Sequence, residues 1–219
     1  MPEPTKILEG LEAISNDLWL VAVLWHVLAS AALAAVVIGW RPSRRLIAGM
    51  LSLPLLSVSI AAFAHANPFN GLMFVALTLA LGAIGLRLPG LAPGRAPVWA
   101  TVAGIAMAAF GLVYPHFTHT ASAIGYLYAA PTGLVPCPTL SLAIGVALIA
   151  DGLGSRAFAL LLAAAGLFYG IFGVVRLGVT LDLGLIAGAA VLLARGLTIP
   201  RQQRDGAPVE GQSTAPSCR

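Results

Sequence analysis

Few residues in this chain can do chemistry. Its four histidines are His26, His65, His116 and His119, and Cys137, one of two cysteines, stands in Pro136-Cys137-Pro138-Thr139. His116 and His119 are three positions apart and would share a face on a helical turn. Imidazoles together with a thiolate suit zinc or copper. Cys137, His116, His119, His65 and His26 therefore form a candidate metal-ligand set. The competing reading is four singly placed, hydrogen-bonded histidines, because no H-x-x-x-H or C-x-x-C motif is present. A haem held by His26 and His65 is a weaker alternative, since the two are expected at different depths.

A proline is well placed in the first turn of a helix, where its missing N–H costs nothing. Pro136 and Pro138 thus put Cys137 at or near a helix N-cap. Helix N-terminal N–H groups stabilise thiolate, so a reactive or metal-binding thiol is one reading. The other is a buried small hydrophobe between two structural prolines, which spacing alone favours. The second cysteine, Cys218, belongs to a segment expected on the opposite side of a membrane. No intramolecular disulfide and no dithiol redox motif is therefore expected. Asp182 suits the N-cap of the last helix, with Arg176 as its partner, a structural role favoured over ion relay. There is no hydrolase triad, phosphate loop or HExxH motif, so the chain is not expected to be an enzyme.

The elements that must position these residues are apolar. Of 219 residues, 59% are hydrophobic and 9% charged, against about 25% charged in a soluble domain. Seven runs approach the roughly 20 residues a bilayer requires. They are Leu18–Gly39, Leu46–Ala64 (with a kink expected at Pro54), Gly71–Leu86, Val98–Tyr114, Pro138–Ala150, Ala157–Val175 and Asp182–Ala194. Several are short, and six spans is the alternative count. The runs lack the alternation of barrel strands, so the fold class is all-α: one polytopic transmembrane domain over residues 1–195.

Lys and Arg orient it. Arg41, Arg44, Arg45, Arg87, Arg95, Arg156, Arg195, Arg201, Arg204 and Arg219 fall on one side of the seven runs, and only Lys6 and Arg176 on the other. This places the N-terminus outside and the C-terminus in the cytoplasm, with every histidine, Cys137 and Asp182 towards the outside. The scattered basic residues form no nucleic-acid footprint. The acidic N-terminus does not read as a signal peptide. Residues 1–17 read as an interfacial helix, with Ile7, Leu8, Leu11 and Ile14 at helical spacing. Residues 196–219 read as a disordered cytoplasmic tail. Gly166 with Gly170, and Gly184 with Gly188, form G-x-x-x-G pairs that let helices approach closely. They predict a hairpin of the last two spans, and offer faces for a partner helix or a second copy.

The segment 115–137 is uncharged, yet too polar and proline-rich for a plain span. It reads either as a re-entrant or interfacial cap on the outer side, or as an ordinary loop with Tyr126 and Tyr128 in the aromatic belt. Asn16-Asp-Leu-Trp19, Asn67-Pro68, Tyr114-Pro115, Pro131-Thr-Gly-Leu-Val-Pro-Cys-Pro-Thr139 and Leu177-Gly-Val-Thr-Leu-Asp182 resemble a family of small bacterial multipass membrane proteins known only as a domain of unknown function. The resemblance spans nearly all of the chain except the tail. It implies this architecture and a bacterial cytoplasmic membrane, and it carries no activity.

The functional expectation is binding or translocation of a small solute or metal ion from the outer side, which requires Cys137 and the histidines to converge. The alternatives are a membrane redox protein, through Cys137 or a haem, and a non-catalytic accessory subunit of a membrane complex.

Overall fold

The computed structural model describes residues 3–120 and 122–200, apart from the side chain of Val37. The described residues form helices and no strand: α1 (Pro4–Asp17), α2 (Trp19–Val37), α3 (Arg44–Ala64), α4 (Pro68–Leu86), α5 (Val98–Val113), the short α6 (Tyr126–Ala129), α7 (Pro136–Ile149), α8 (Arg156–Leu177) and α9 (Asp182–Thr198). Two 3-10 turns, Ala123–Gly125 and Asp151–Gly154, precede α6 and α8. Four helices, α2, α3, α4 and α8, are long and apolar enough to cross a membrane, and α5 and α7 are shorter apolar helices. α9 extends three residues past the boundary expected for the domain. The expected tail lies outside the described residues from 201 onwards, as does Cys218.

Local chemistry sets the helix ends. Ser43, Asn67 and Ser155 each accept a backbone N–H of the first turn of α3, α4 and α8, satisfying donors that a helix start leaves free. Pro68 and Pro136 occupy first-turn positions. Pro54 lies buried inside a continuous α3. Between α7 and α8, Asp151, Gly152, Leu153 and Gly154 all have φ between 56° and 61°. Left-handed backbone costs a non-glycine residue about 1–2 kcal/mol. At Leu153 this cost is offset by complete burial; at Asp151 it is offset by an ion pair with Arg195 at 2.7 Å.

The helices pair as α3–α4, α5–α7 and α8–α9, around buried Leu55, Phe74, Leu140, Ile144, Phe158, Leu162 and Leu185. Small residues permit the closest approaches. A Cβ on Gly104 would stand 2.7 Å from Gly145 O, and one on Gly111 would stand 2.6 Å from Pro138 O. Gly166 and Gly170 do face α9, through Ala189 and Ile186, as the predicted hairpin requires. Gly184 and Gly188 face Phe110 and Met107 of α5 instead. Both G-x-x-x-G faces are thus filled by this chain's own helices, which corrects their expected role as surfaces for a partner helix or a second copy.

Contacts define the two ends of the bundle. At one end, Arg44 N donates to Leu91 O at 2.9 Å and Arg195 pairs with Asp151. We call this the arginine end, because Arg44, Arg45, Arg87, Arg156 and Arg195 stand at helix ends there and Arg41 and Arg95 in the loops that join them. At the other, the cap end, α1 and residues 114–120 and 122–135 cover the helices. A second cluster joins Leu11, Ile14, Ala22, Ala61, Leu134 and Val135 beneath that cover.

Candidate functional site

The last stretch of the cap, 130–135, is irregular backbone yet buried. Residues 131–136 are all buried, so their polar groups need partners within the protein. Two threonines supply them. Thr132 Oγ1 donates to Gly111 O of α5 at 2.6 Å. Thr139 Oγ1 accepts from Gly133 N at 2.8 Å and donates to Val135 O at 2.7 Å. Gly133 adopts φ +80°, and a Cβ there would overlap the Trp25 ring of α2, so both conformation and space require glycine. Leu134 and Val135 then enter the second cluster, and Pro136 opens α7. The Pro-Thr-Gly-Leu-Val-Pro-Cys-Pro-Thr stretch is therefore a turn buried almost throughout, with its polar groups bonded within the stretch and to Gly111 of α5.

That turn delivers Cys137 to the second position of α7, facing Asp182. Asp182 is 1% exposed and is the first residue of α9. Its carboxylate accepts Tyr114 Oη–H at Oδ1, 2.7 Å, and Cys137 Sγ–H at Oδ2, 3.2 Å. Tyr114 follows the last residue of α5 and is completely buried, its ring stacked on Phe117 and edge-on to Phe110. Gly173 of α8 closes the fourth side, since a Cβ there would overlap Asp182 Oδ2. Four helices thus meet at one carboxylate. The N-termini of α7 and α9 both approach it, and helix N-termini favour negative charge.

This geometry corrects several expectations. Asp182 does not cap α9: the cap position is Leu181, with no side-chain bond. Arg176 is exposed and pairs with no carboxylate among the described residues. Cys137 uses its thiol as a donor, and a thiolate would face a carboxylate oxygen at 3.2 Å, which opposes the reactive-thiol reading.

The five candidate metal ligands do not converge. His26, buried on α2, lies 2.8 Å from Ala22 O through Nδ1 and 2.8 Å from Leu112 O through Nε2. His65 reaches Asp17 of α1 at 3.3 Å. His119 bonds Glu12 of α1. His116 packs on Phe117, with ring centres 4.1 Å apart. Cys137 is committed to Asp182. Among the described residues no group of three or more His, Cys, Asp or Glu could hold a metal ion. The physical reason is local: His26, His65 and His119 each meet a carboxylate or a carbonyl, and His116 an aromatic ring. His26 and His65 likewise have different partners, Ala22 O and Leu112 O for the first and Ala61 O and Asp17 for the second.

Sequence reasoning missed Tyr114 as the third member of the cluster, and missed Asn16. The Asn16 side chain accepts from His119 N at 2.8 Å and donates to Phe117 O at 3.0 Å, clamping α1 to the cap. A second buried pair, Tyr169 Oη donating to Asn70 Oδ1 at 3.1 Å, joins α8 to α4. The available signal was polar residue type inside or beside apolar runs; nothing in the spacing joined the members.

The chain matches no family model, no curated protein and no solved structure.

Proposed function

We propose that this chain is an integral membrane protein of a bacterial cytoplasmic membrane. In this reading α2 to α5 and α7 to α9 cross the bilayer, with the N-terminus outside and the C-terminus inside. The collection of arginines at one end supports that orientation. The protein binds or moves a small cationic or hydrogen-bonding solute from the outer side, with Asp182 as the group that takes its charge or its proton.

One observation carries this reading: a carboxylate 1% exposed at the cap end, bonded only to neutral donors. Ionisable groups buried among membrane-spanning helices are costly and are retained chiefly at functional sites. Here two helix N-termini stand where a cation would otherwise be needed. Tyr114 and Cys137 are donors that can turn to a new acceptor when Asp182 changes its charge.

Gly173 seals Oδ2, and both carboxylate oxygens are already bonded. That favours a second reading, in which the cluster only locks four helices together in a non-catalytic accessory subunit. Thermal unfolding of detergent-purified protein separates the two. Small amines, amino acids and monovalent and divalent cations are added to wild type and to Asp182→Asn. Solute binding predicts that one class raises Tm, by a stabilisation of about 2.7 kcal/mol at a hundredfold excess over Kd, and that Asp182→Asn loses the shift. A destabilised Asp182→Asn with no solute effect in either protein selects the lock and overturns the solute reading.

A further inference from the structure

A cavity of about 400 Å³ lies at the cap end, among the end of α1, the start of α2 and the cap. Its lining includes Trp19, Tyr128, Asn16, Thr118, His119 and Ser122. α6 packs on α2, which brings Tyr128 to the same cavity as Trp19. Both aromatic residues are about half-exposed. The lining offers aromatic rings, hydroxyls and one amide, and no Lys or Arg. Its one imidazole, His119, is bonded to Glu12.

Phe117 links this cavity to the buried carboxylate. Asn16 Nδ2 donates to Phe117 O at 3.0 Å, and Asn16 Oδ1 accepts from His119 N at 2.8 Å. The Phe117 ring stacks on Tyr114, with centres 6.3 Å apart, and Tyr114 is the donor to Asp182 Oδ1. Phe117 has φ +69°, left-handed backbone that a bulky residue rarely adopts. Its own preference therefore does not hold it there. Asn16 of α1 does, and Asn16 also lines the cavity. A solute that bonds Asn16 competes with that hold, and Phe117 relaxes by leaving the left-handed region.

We propose that this cavity is the outer chamber of the Asp182 site, that it takes a small organic ammonium ion, and that Phe117 is the partition between the two. This rests on the solute reading above and names its substrate class. Aromatic faces attract such cations through their negative π surface, and the carboxylate beyond the partition matches the charge. A Mg²⁺ or Ca²⁺ ion calls for a cage of oxygen ligands instead of rings, and a neutral sugar has no use for Asp182.

The test uses the full chain in a Cys218→Ser background, purified in detergent, with calorimetry at neutral pH. Ethanolammonium is expected to bind, and glucose is not. Trp19→Leu and Tyr128→Leu are each expected to weaken ethanolammonium binding about fivefold, and Asp182→Asn to weaken it further. Cys137, bonded to Asp182, reports whether the inner chamber is reached. Asn16→Ala frees the partition and is expected to raise the rate of maleimide labelling at Cys137 about fivefold, the loss of roughly one hydrogen bond. Phe117→Gly accepts the same φ and removes the ring, and should raise the rate at least as much, with a cooperative thermal transition kept in both variants. Glucose binding as tightly as ethanolammonium, or an ethanolammonium affinity that neither ring variant changes, overturns the outer chamber. A wild-type labelling rate in both Asn16→Ala and Phe117→Gly overturns the partition. Ethanolammonium binding that needs Asp182 and neither ring overturns this proposal alone, whereas no effect of any solute on the wild-type Tm overturns the Asp182 reading itself.

Discussion

Tyr114 and Asp182 lie 68 positions apart, and Tyr114 Oη donates to Asp182 Oδ1 at 2.7 Å with both side chains buried. The bond joins the end of α5 to the start of α9. Tyr114→Phe keeps the ring that stacks on Phe117 and removes only the donor. Bonds to charged groups contribute about 1.5–3 kcal/mol, so the variant should unfold at lower temperature in detergent by a corresponding margin. Asp182→Asn should cost at least as much, because the carboxamide keeps one acceptor and turns its NH2 towards the other buried donor. A Tyr114→Phe protein with wild-type Tm would show that the bond is dispensable.

Cys137 should be slow to react. Its thiol is directed at Asp182 Oδ2, and Pro136 and Pro138 on either side are buried. In a Cys218→Ser background, a maleimide is expected to leave Cys137 unlabelled in the folded protein and to label it after denaturation. Cys137→Ser should be nearly neutral in stability, since a hydroxyl donates to the same oxygen. Rapid labelling of the folded protein would return the reactive-thiol reading.

Two glycines make opposite predictions under the same substitution. Gly173→Ala places a methyl onto the Asp182 carboxylate, and overpacking of this kind typically costs about 1–3 kcal/mol or more. Gly49→Ala meets nothing within 4 Å and exchanges glycine for the best helix former, a gain of up to about 1 kcal/mol. Expression yield and Tm should fall for the first and hold or rise for the second. The reverse order would mean that α8 does not pack on Asp182 as described.

These contacts also mark what could be read from the residues. Each of the seven apolar runs became a helix within a few residues of its expected ends, because continuous apolarity and the flanking Ser, Asn and Pro are local properties. The pairing of Tyr114, Cys137 and Asp182 was not legible, because their separations of 45 and 68 positions follow from how α5, α7 and α9 pack. The glycine faces were half legible: G-x-x-x-G signals close approach without naming the neighbour, and Gly184 and Gly188 chose α5. The left-handed turn at 151–154 was not anticipated, because Leu153 is a residue that turn chemistry would not nominate.

That turn carries a further expectation. Asp151 and Arg195 are both mostly buried, their side chains 18% and 15% exposed. Removing one partner of a buried pair leaves an uncompensated charge and costs about 3–5 kcal/mol. Arg195→Met should therefore destabilise strongly, and Arg195→Met with Asp151→Asn should recover much of the loss, since asparagine tolerates left-handed backbone. A double variant no more stable than the single would assign the loss to packing of the arginine stem.

α2 offers the sharpest test of how the helices are held. It buries little of itself, so its position depends on the cap above it and on two polar attachments, Trp25 to Ser57 and His26 to Leu112. Each net hydrogen bond contributes about 0.5–1.5 kcal/mol, while in the membrane reading proposed above the apolar face of α2 gains almost nothing by leaving lipid for protein. Trp25→Phe with His26→Phe should then free the arginine end of α2 without unfolding the bundle. Spin labels at Leu33 and Leu53, both exposed, in a Cys218→Ser background, would report this as a broadened distance distribution, while Tm falls only slightly. A narrow distribution in the double variant would mean that the buried turn at Gly133, lying against the Trp25 ring position, holds α2 by shape alone, and that the hydrogen bonds set only its register.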